Sequence, residues 1–376
     1  VSTLLERAYA VSDALRSLAD PATPEGAALR EEAVLECGLS APMIDWALTT
    51  TMEGLPTDFE VLVRNANVDG ASFVRRASLI LSGNVLTAPA EPLAIHAIAN
   101  VPTRVKVSSS GGSFVRALLR ALHRKSPEMR SLFTLHAFGR EDRESLTALV
   151  GGAEVVTAYG GDLAMRDISA SLSKGTRFVE YGHGFGALVL DVSSADDALV
   201  RGAALDIAAY DQRGCRSPQV VFAMGTRSER ESFARRLSDG LVEVERRLPR
   251  GPLGDEALAH ERRWRQSMTA VGEFYGSATA SVAAVDAGTP ITTPLHRNIQ
   301  VHPLPTLKDF GEFAARAGKH LKVVGLAHEH ISALDHEASR AFVGRSPHPE
   351  LTTIGSMQRP RMHDDRLLRA LVSSPR

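Results

Sequence analysis

Tyr210-Asp-Gln-Arg-Gly-Cys-Arg-Ser-Pro-Gln219 carries one of the two cysteines of the chain and joins two segments whose type can be read directly. Upstream, Ser194 to Tyr210 is rich in alanine, with Ser193 or Ser194 placed to cap it and Asp196 and Asp197 in its first turn, which predicts a helix. Downstream, Gln219 to Met224 is a short apolar run closed by Gly225, which predicts a buried strand. Cys215 therefore falls on the turn between them, where Gly214 permits close backbone approach and Pro218 opens the next element. A thiol on such a turn can present sulfur to a substrate while neighbouring backbone N–H groups face a developing oxyanion. Arg213 and Arg216 flank it, and cationic neighbours favour the nucleophilic thiolate. The alternative at this stage is a small buried hydrophobe, as many intracellular cysteines are.

Composition limits the choices. A chain of 376 residues with 44% hydrophobic content has enough apolar material for about two domains. A formal net charge of −1 and a pI near 7.0 give no global attraction to nucleic acid or anionic membrane. The basic clusters at Arg246–Arg250 and Arg262–Arg265 have Glu243, Glu245 and Glu261 beside them and read as solvated faces. Two cysteines make no disulfide framework, no apolar run approaches the roughly 20 residues of a membrane span, and no signal peptide pattern opens the sequence. A soluble, cytoplasmic protein is expected.

Working outward, residues 1–60 show apolar residues at helical spacing and form a packing layer, with Asp45–Leu48 in a helix beginning near Pro42. From Ala77 strand and helix alternate. Strands are expected at Ala77–Ser82, Arg104–Val107, Leu132–His136, Glu154–Ala158 and Arg177–Glu180, with helices after Gly112, from Glu141 to Leu149 and from Leu163 to Leu172. Repeated units of this length imply a doubly wound parallel sheet, which binds ligands at the carboxyl ends of its strands. Asn84, Lys106, Ser108, Gly160, Gly161 and Glu180 all fall at that edge. A second set follows: strands at Phe185–Leu190, Ser281–Val285, Asn298–Val301 and Leu321–Gly325, and helices at Glu229–Arg247, Asp255–Tyr275 and Leu307–Ala317. Histidines 296, 302, 320, 328, 330 and 336 lack tight metal-ligand spacing, so no metal site is expected.

These residues carry a resemblance. Asp211-Gln-Arg-Gly-Cys-Arg-Ser-Pro-Gln219 is similar to the nucleophile motif of the acyl-CoA reductase family of the bacterial bioluminescence operons, a branch of the aldehyde dehydrogenase superfamily. Ser82-Gly-Asn-Val85 and Val105-Lys-Val-Ser-Ser109 resemble that family's first two strand motifs, and Gly355-Ser-Met-Gln-Arg-Pro360 with His363-Asp364 its C-terminal motif. The resemblance runs from about residue 40 to the end of the chain. It implies an α/β, aldehyde dehydrogenase-like fold, in which a doubly wound cofactor domain is joined to an α/β catalytic domain carrying the nucleophilic cysteine. The expected division is an N-terminal helical layer at 1–60, a cofactor domain at 61–183 completed by 345–376, and a catalytic domain at 184–344.

The resemblance also implies roles. Cys215 is the nucleophile. Asn84 lends a side-chain amide to the oxyanion. Glu180, thirty-five positions before Cys215, matches the superfamily's strand-end glutamate, and His183 follows it. Lys106 and Ser108 lie where the ribose or its phosphate binds. Gly160, Gly161 and Gly182 lie beside the pyrophosphate and nicotinamide, with helix N-terminal N–H groups favouring the phosphates. The implied reaction is reduction of an acyl-CoA or acyl-carrier-protein thioester to an aldehyde, with NADPH as cofactor and NADH as the alternative, and a homo-oligomer allowed but not required. Two departures stand out. Where the superfamily has a ribose-binding glutamate, this chain reads His296-Arg-Asn-Ile-Gln-Val-His-Pro303, and the C-terminal motif ends His363-Asp364-Asp365. Oxidation of an aldehyde by an NAD(P)-dependent dehydrogenase, with Glu180 as the deacylating base, and a catalytically silent partner-binding subunit remain as alternatives. Read without the resemblance, Glu180 pairs with Arg177 or Lys174, Lys106 is a strand-edge lysine and Asn84 is a turn residue.

Overall fold

The computed structural model describes residues 3–68, 71–108, 110–327, 349–359 and 365–373. The chain divides into two compact units, Val1–His183 with Pro360–Arg376, and Gly184–Arg359.

The first unit begins with four helices: α1 (Leu4–Ala19), α2 (Pro24–Glu36), α3 (Ala41–Met52) and α4 (Leu55–Ala66). The first opens on a reciprocal cap, in which the Glu6 N–H donates to Thr3 Oγ1 and the Thr3 N–H to Glu6 Oε2. A five-stranded sheet follows in the order β3-β2-β1-β4-β5, parallel throughout. Its strands are β1 (Ala77–Ile80), β2 (Thr103–Lys106), β3 (Phe133–His136), β4 (Val155–Gly160) and β5 (Arg177–Gly182). Helices α5 (Ala90–Ala99), α6 (Gly112–Lys125), α7 (Arg143–Val150) and α8 (Asp162–Ala170) make the crossovers. The strand order reverses between β1 and β4, the switch point at which such sheets open a ligand crevice. Helix α5 carries no amphipathic signature because all but Glu91 of its residues are buried.

The second unit is built on a seven-stranded sheet, β12-β11-β6-β7-β10-β9-β8, parallel except for the β8–β9 pair. Its strands are β6 (Phe185–Asp191), β7 (Pro218–Met224), β8 (Gly272–Gly276), β9 (Ser281–Val285), β10 (Asn298–Pro303), β11 (Leu321–Leu326) and β12 (Glu350–Thr353). Helices α9 (Asp197–Ala208), α10 (Arg227–Arg247), α11 (Asp255–Thr269) and α12 (Leu307–Ala317) cover it. Phe222 of β7 packs edge-on to Phe310 of α12 at 5.5 Å, in a core with Val189, Val324 and Leu326.

Three expectations change. Helix α9 is capped by Asp196, whose Oδ1 accepts the Leu199 N–H at 2.7 Å, while Ser193 instead donates to Asp191. The helix expected over Asp255–Tyr275 ends at Thr269, and Gly272–Gly276 is the edge strand β8. A Cβ at Gly272 would overlap the Ala284 carbonyl, so glycine lets this strand close on β9. The segment expected to complete the cofactor domain is divided: β12 joins the second sheet, whereas the short helix Arg366–Ala370 belongs to the first unit.

Candidate active site

Cys215 is exposed and Cys37 is buried in the helical layer. The thiol stands on a tight turn in which the Ser217 N–H donates to the Gly214 carbonyl at 3.0 Å and Ser217 Oγ accepts the Gly214 N–H at 3.2 Å. Gly214 and Ser217 are buried, so the turn is anchored at both shoulders and projects at Cys215. The position is the amino end of β7, one residue ahead of Arg216 and three ahead of Pro218.

Arg216 acts differently from the expectation. Its guanidinium forks onto Glu350 at 2.6 and 2.9 Å, and its Nε donates to the Met357 carbonyl at 2.6 Å. The Arg216–Glu350 pair is neutral as a whole, so it ties the turn to β12 more than it offers the thiol a cation. Behind it, the Asp206 carboxylate accepts the Gly355 and Met357 N–H groups at 2.6 and 3.0 Å. Burial pushes the Asp206 carboxyl up to about 7, against the two N–H bonds and the charges of Arg216 and Arg359. The described part of the C-terminal motif, Gly355 to Arg359, thus holds Arg216 in place; Pro360, His363 and Asp364 lie outside the described residues.

On the other side of the turn, Tyr210, Asp211 and Gln212 adopt left-handed backbone with φ of 52°, 52° and 64°. The residues Leu295, His296 and Arg297 do the same, at 63°, 55° and 69°. Arg297, fully buried, donates to Asp211 at 2.7 Å, to Glu245 at 2.5 Å and to the Leu248 carbonyl at 2.8 Å. Asp211 Oδ2 also accepts the Gly251 N–H at 3.0 Å. Beside this pair, Glu261 accepts from Arg250, Arg265 and Asn298. Burial alone would raise the Glu261 carboxyl, but the Asn298 hydrogen bond and the two arginines outweigh it and hold it below the usual value. Neither the αL run before Cys215 nor the role of Arg297 was visible in sequence. Glycine or asparagine normally announces such backbone, and neither residue type is present in either run.

The remaining expected residues belong to the first unit and lie at the carboxyl edge of its sheet. Asn84 is exposed just past β1. A Cβ on Gly83 would overlap the side chains of Ser108 and Ser110, so the loops after β1 and β2 lie against each other. Lys106 ends β2, half-buried over the Phe138 ring at 5.1 Å, and burial lowers its pKa. Gly160 and Gly182 are register partners at the ends of β4 and β5, and the preceding Tyr159 and Tyr181 stack at 4.5 Å, 3° from parallel. Glu180 is exposed, opposite Ala158, and makes no ion pair with Arg177 or Lys174 among the described residues. His183 Nδ1 lies 3.7 Å from the Asp162 carboxylate in the first turn of α8.

This edge fits a dinucleotide. A Cβ at Gly161 or Gly182 would meet nothing within 4 Å, which leaves open backbone at the carboxyl ends of β4 and β5, with Lys106 two strands from Gly160. The N-terminus of α6, by contrast, is already occupied: Glu36 accepts the Gly112 and Ser113 N–H groups at 3.1 and 2.6 Å. Among the described residues no helix is long and apolar enough to cross a membrane.

Comparison with solved structures defines the fold as that of the aldehyde dehydrogenases. A NAD-dependent benzaldehyde dehydrogenase from Corynebacterium glutamicum superposes with a TM-score of 0.74 at 13% identity, over 99% of this chain and 83% of its own. Aldehyde dehydrogenase 21 from Physcomitrella patens does so with a TM-score of 0.70 at 14% identity, over 95% and 79%. Residues 76–364 match the family described as Acyl-CoA reductase (LuxC), and the chain belongs to that family. It is 24% identical over 240 residues to the long-chain acyl-protein thioester reductase of Aliivibrio fischeri, covering 62% of this chain and 50% of the relative. It is 23% identical over 261 residues to long-chain acyl-protein thioester reductase 2 of Photobacterium leiognathi, covering 68% and 51%. The chain spans about half the length of these curated relatives.

Proposed function

We propose that this chain reduces an acyl thioester to the aldehyde through an acyl group carried on Cys215. The observation that carries the reading is an exposed thiol at the apex of a turn anchored on both sides, within the stretch that matches the acyl-CoA reductase family. The names of the two relatives support a thioester on a protein carrier as substrate, with acyl-CoA as the other carrier.

Cys215 Sγ, as thiolate, attacks the thioester carbonyl. The oxyanion is assigned to the Cys215 N–H and the Asn84 amide. Collapse of the adduct breaks the bond to the donor sulfur, the donor leaves as a thiolate, and the acyl group stays on Cys215. Lys106, Ser108, Gly160, Gly161 and Gly182 are assigned to the nicotinamide cofactor, NADPH by resemblance, which supplies hydride when bound. Reduction of the carbonyl carbon leaves an oxyanion, which takes a proton to give the hemithioacetal and returns it as the carbon–sulfur bond breaks, releasing the aldehyde and the Cys215 thiolate. Glu180 and His183 are the groups assigned to that proton. A base that activated water would hydrolyse the acyl-enzyme, so the role given to Glu180 is proton movement and not deacylation.

Intact mass spectrometry after mixing with acyl thioesters of different chain length and carrier, without reductant, tests the reading. An acyl mass on the wild-type chain that is absent from Cys215→Ala supports it. Free acid released from an aldehyde substrate with no thioester formed would favour the dehydrogenase direction instead.

A further inference from the structure

We infer that Gln212 and Arg297 form a clamp that sets the direction of the Cys215 thiol, and so act as positioning residues for the acylation proposed above, on which this inference rests. The loop from Arg213 to Ser217 leaves the fold at Gln212 and rejoins it at Pro218. Gln212 closes it: its Nε2 donates to the Pro218 carbonyl at 2.7 Å and to the Asn298 carbonyl at 3.1 Å, while its Oε1 accepts the Asn298 N–H at 3.0 Å. One fully buried amide thus joins both ends of the thiol's loop to β10. Within the loop, the Gly214–Ser217 turn and the Arg216 fork onto Glu350 hold the neighbours of Cys215, and Gln212 adds a tie at the two ends.

The backbone entering the loop is strained. Among the described residues, the other non-glycine left-handed positions are the run Leu295–Arg297 and the single residues Asn67 and Asn100, each ending a helix. Three in a row at Tyr210–Gln212 persist only where the surroundings over-determine them. Arg297 supplies that constraint through Asp211, the middle residue, and the His296 N–H donates to the Asp211 carbonyl at 3.1 Å. A well-packed apolar cluster would stabilise this region as well or better than buried ions do. What the ions add is direction, because a forked guanidinium accepts few geometries.

The test uses the full chain and two reactions of the same thiol. Acylation by an acyl-CoA needs a fixed approach of sulfur to carbonyl, whereas alkylation by iodoacetamide needs only an exposed thiolate. Gln212→Glu keeps the volume and the acceptor for Asn298 but has at most one donor, the O–H of the neutral acid, for the two carbonyls. Arg297→Lys keeps the charge opposite Asp211 but not the fork, and it carries the test if Gln212→Glu does not fold. Acylation is expected to fall about ten- to a hundredfold in Gln212→Glu, since misplacing a reacting group by ~1 Å costs on that order. Arg297→Lys should show a smaller loss of the same kind. Alkylation in both should stay within about threefold of wild type, with an unchanged pH profile, on the same argument that it has no geometric demand. Wild-type acylation in both variants would overturn the clamp, as would acylation and alkylation falling together, which would mark the residues as general supports of the fold. A wild-type thiol that alkylates but never acylates would instead overturn the nucleophile reading, and the clamp with it.

Discussion

Asn84 and Lys106 sit at neighbouring strand ends in the first unit, and the two assignments can be separated by single substitutions. If Asn84 donates to the oxyanion, Asn84→Ala should slow acylation and hydride transfer alike, since both pass through a tetrahedral oxyanion at one carbon. The loss of one such donor costs roughly 10²–10³ in rate. Single-turnover records of acyl-enzyme mass and cofactor absorbance, taken together, check this; acylation at the normal rate would return Asn84 to a turn residue. Lys106 is half-buried, and burial already disfavours its charge. A 2′-phosphate would restore a partner for that charge, so Lys106→Ala should weaken NADPH binding more than NADH binding, by about 1.5–3 kcal/mol. Titration of both cofactors by fluorescence checks it, and equal weakening removes Lys106 from a phosphate site. Arg297 makes a third case. Its removal as Arg297→Ala leaves the buried Asp211 carboxylate without its cation, and a loss of about 3–5 kcal/mol in urea unfolding is expected.

Elements were legible where one period dominated. The parallel strands read as short apolar runs, and the polar residues that end them marked the carboxyl edge, so Asn84, Lys106, Gly160 and Glu180 could be placed without coordinates. Helix α5 escaped because burial on all sides erases its period, and β8 because a five-residue edge strand follows directly on a helix. The surroundings of Cys215 were legible only in part. The motif was plain, but what Asp211 and Gln212 do depends on residues 86 positions away, and no local pattern reports that a charge is buried. The packing of β6 against the turn gives a test at this scale. A Cβ at Gly186 would overlap the Arg216 carbonyl and the Met357 methyl group. Gly186→Ala should therefore lower stability by about 1–3 kcal/mol and slow Cys215 acylation, because the Met357 methyl can swing aside but the Arg216 carbonyl cannot yield without moving the turn. Unchanged unfolding and acylation would mean that β6 and the turn are not coupled.

Across the whole molecule, pH acts on the two units through different groups. In the second unit, Asp206 has its pKa raised to about 7, so the folded state holds this proton more tightly than the unfolded chain does. Its contribution to stability is therefore largest at acid pH and declines as pH rises towards 7. His302 opposes it: burial lowers its pKa to about 4, and its contribution declines as pH falls from ~6.5. In the first unit, His96, buried and bonded to Thr103 at 2.8 Å, is lowered to about 3 and acts in the same direction as His302. Comparing Asp206→Asn with wild type isolates the acid. The stability of the variant relative to wild type should climb by about 1.4 kcal/mol per pH unit between pH ~4 and ~7, the slope of one proton. Chemical denaturation at four or five pH values checks this, and parallel curves would show that Asp206 is ionised throughout.

The ties around Cys215 also impose an order on biosynthesis. Gln212 and Asp211 wait for Asn298 and Arg297, and Arg216 waits for Glu350 and then for Met357, 141 positions downstream. A ribosome adds roughly 5–20 residues per second, so the nascent chain carries this cysteine for several seconds or more before its last anchor exists. During that interval the thiol is an ordinary one on an unfinished sheet, and it gains its fixed orientation only when residues near the far end of the unit emerge.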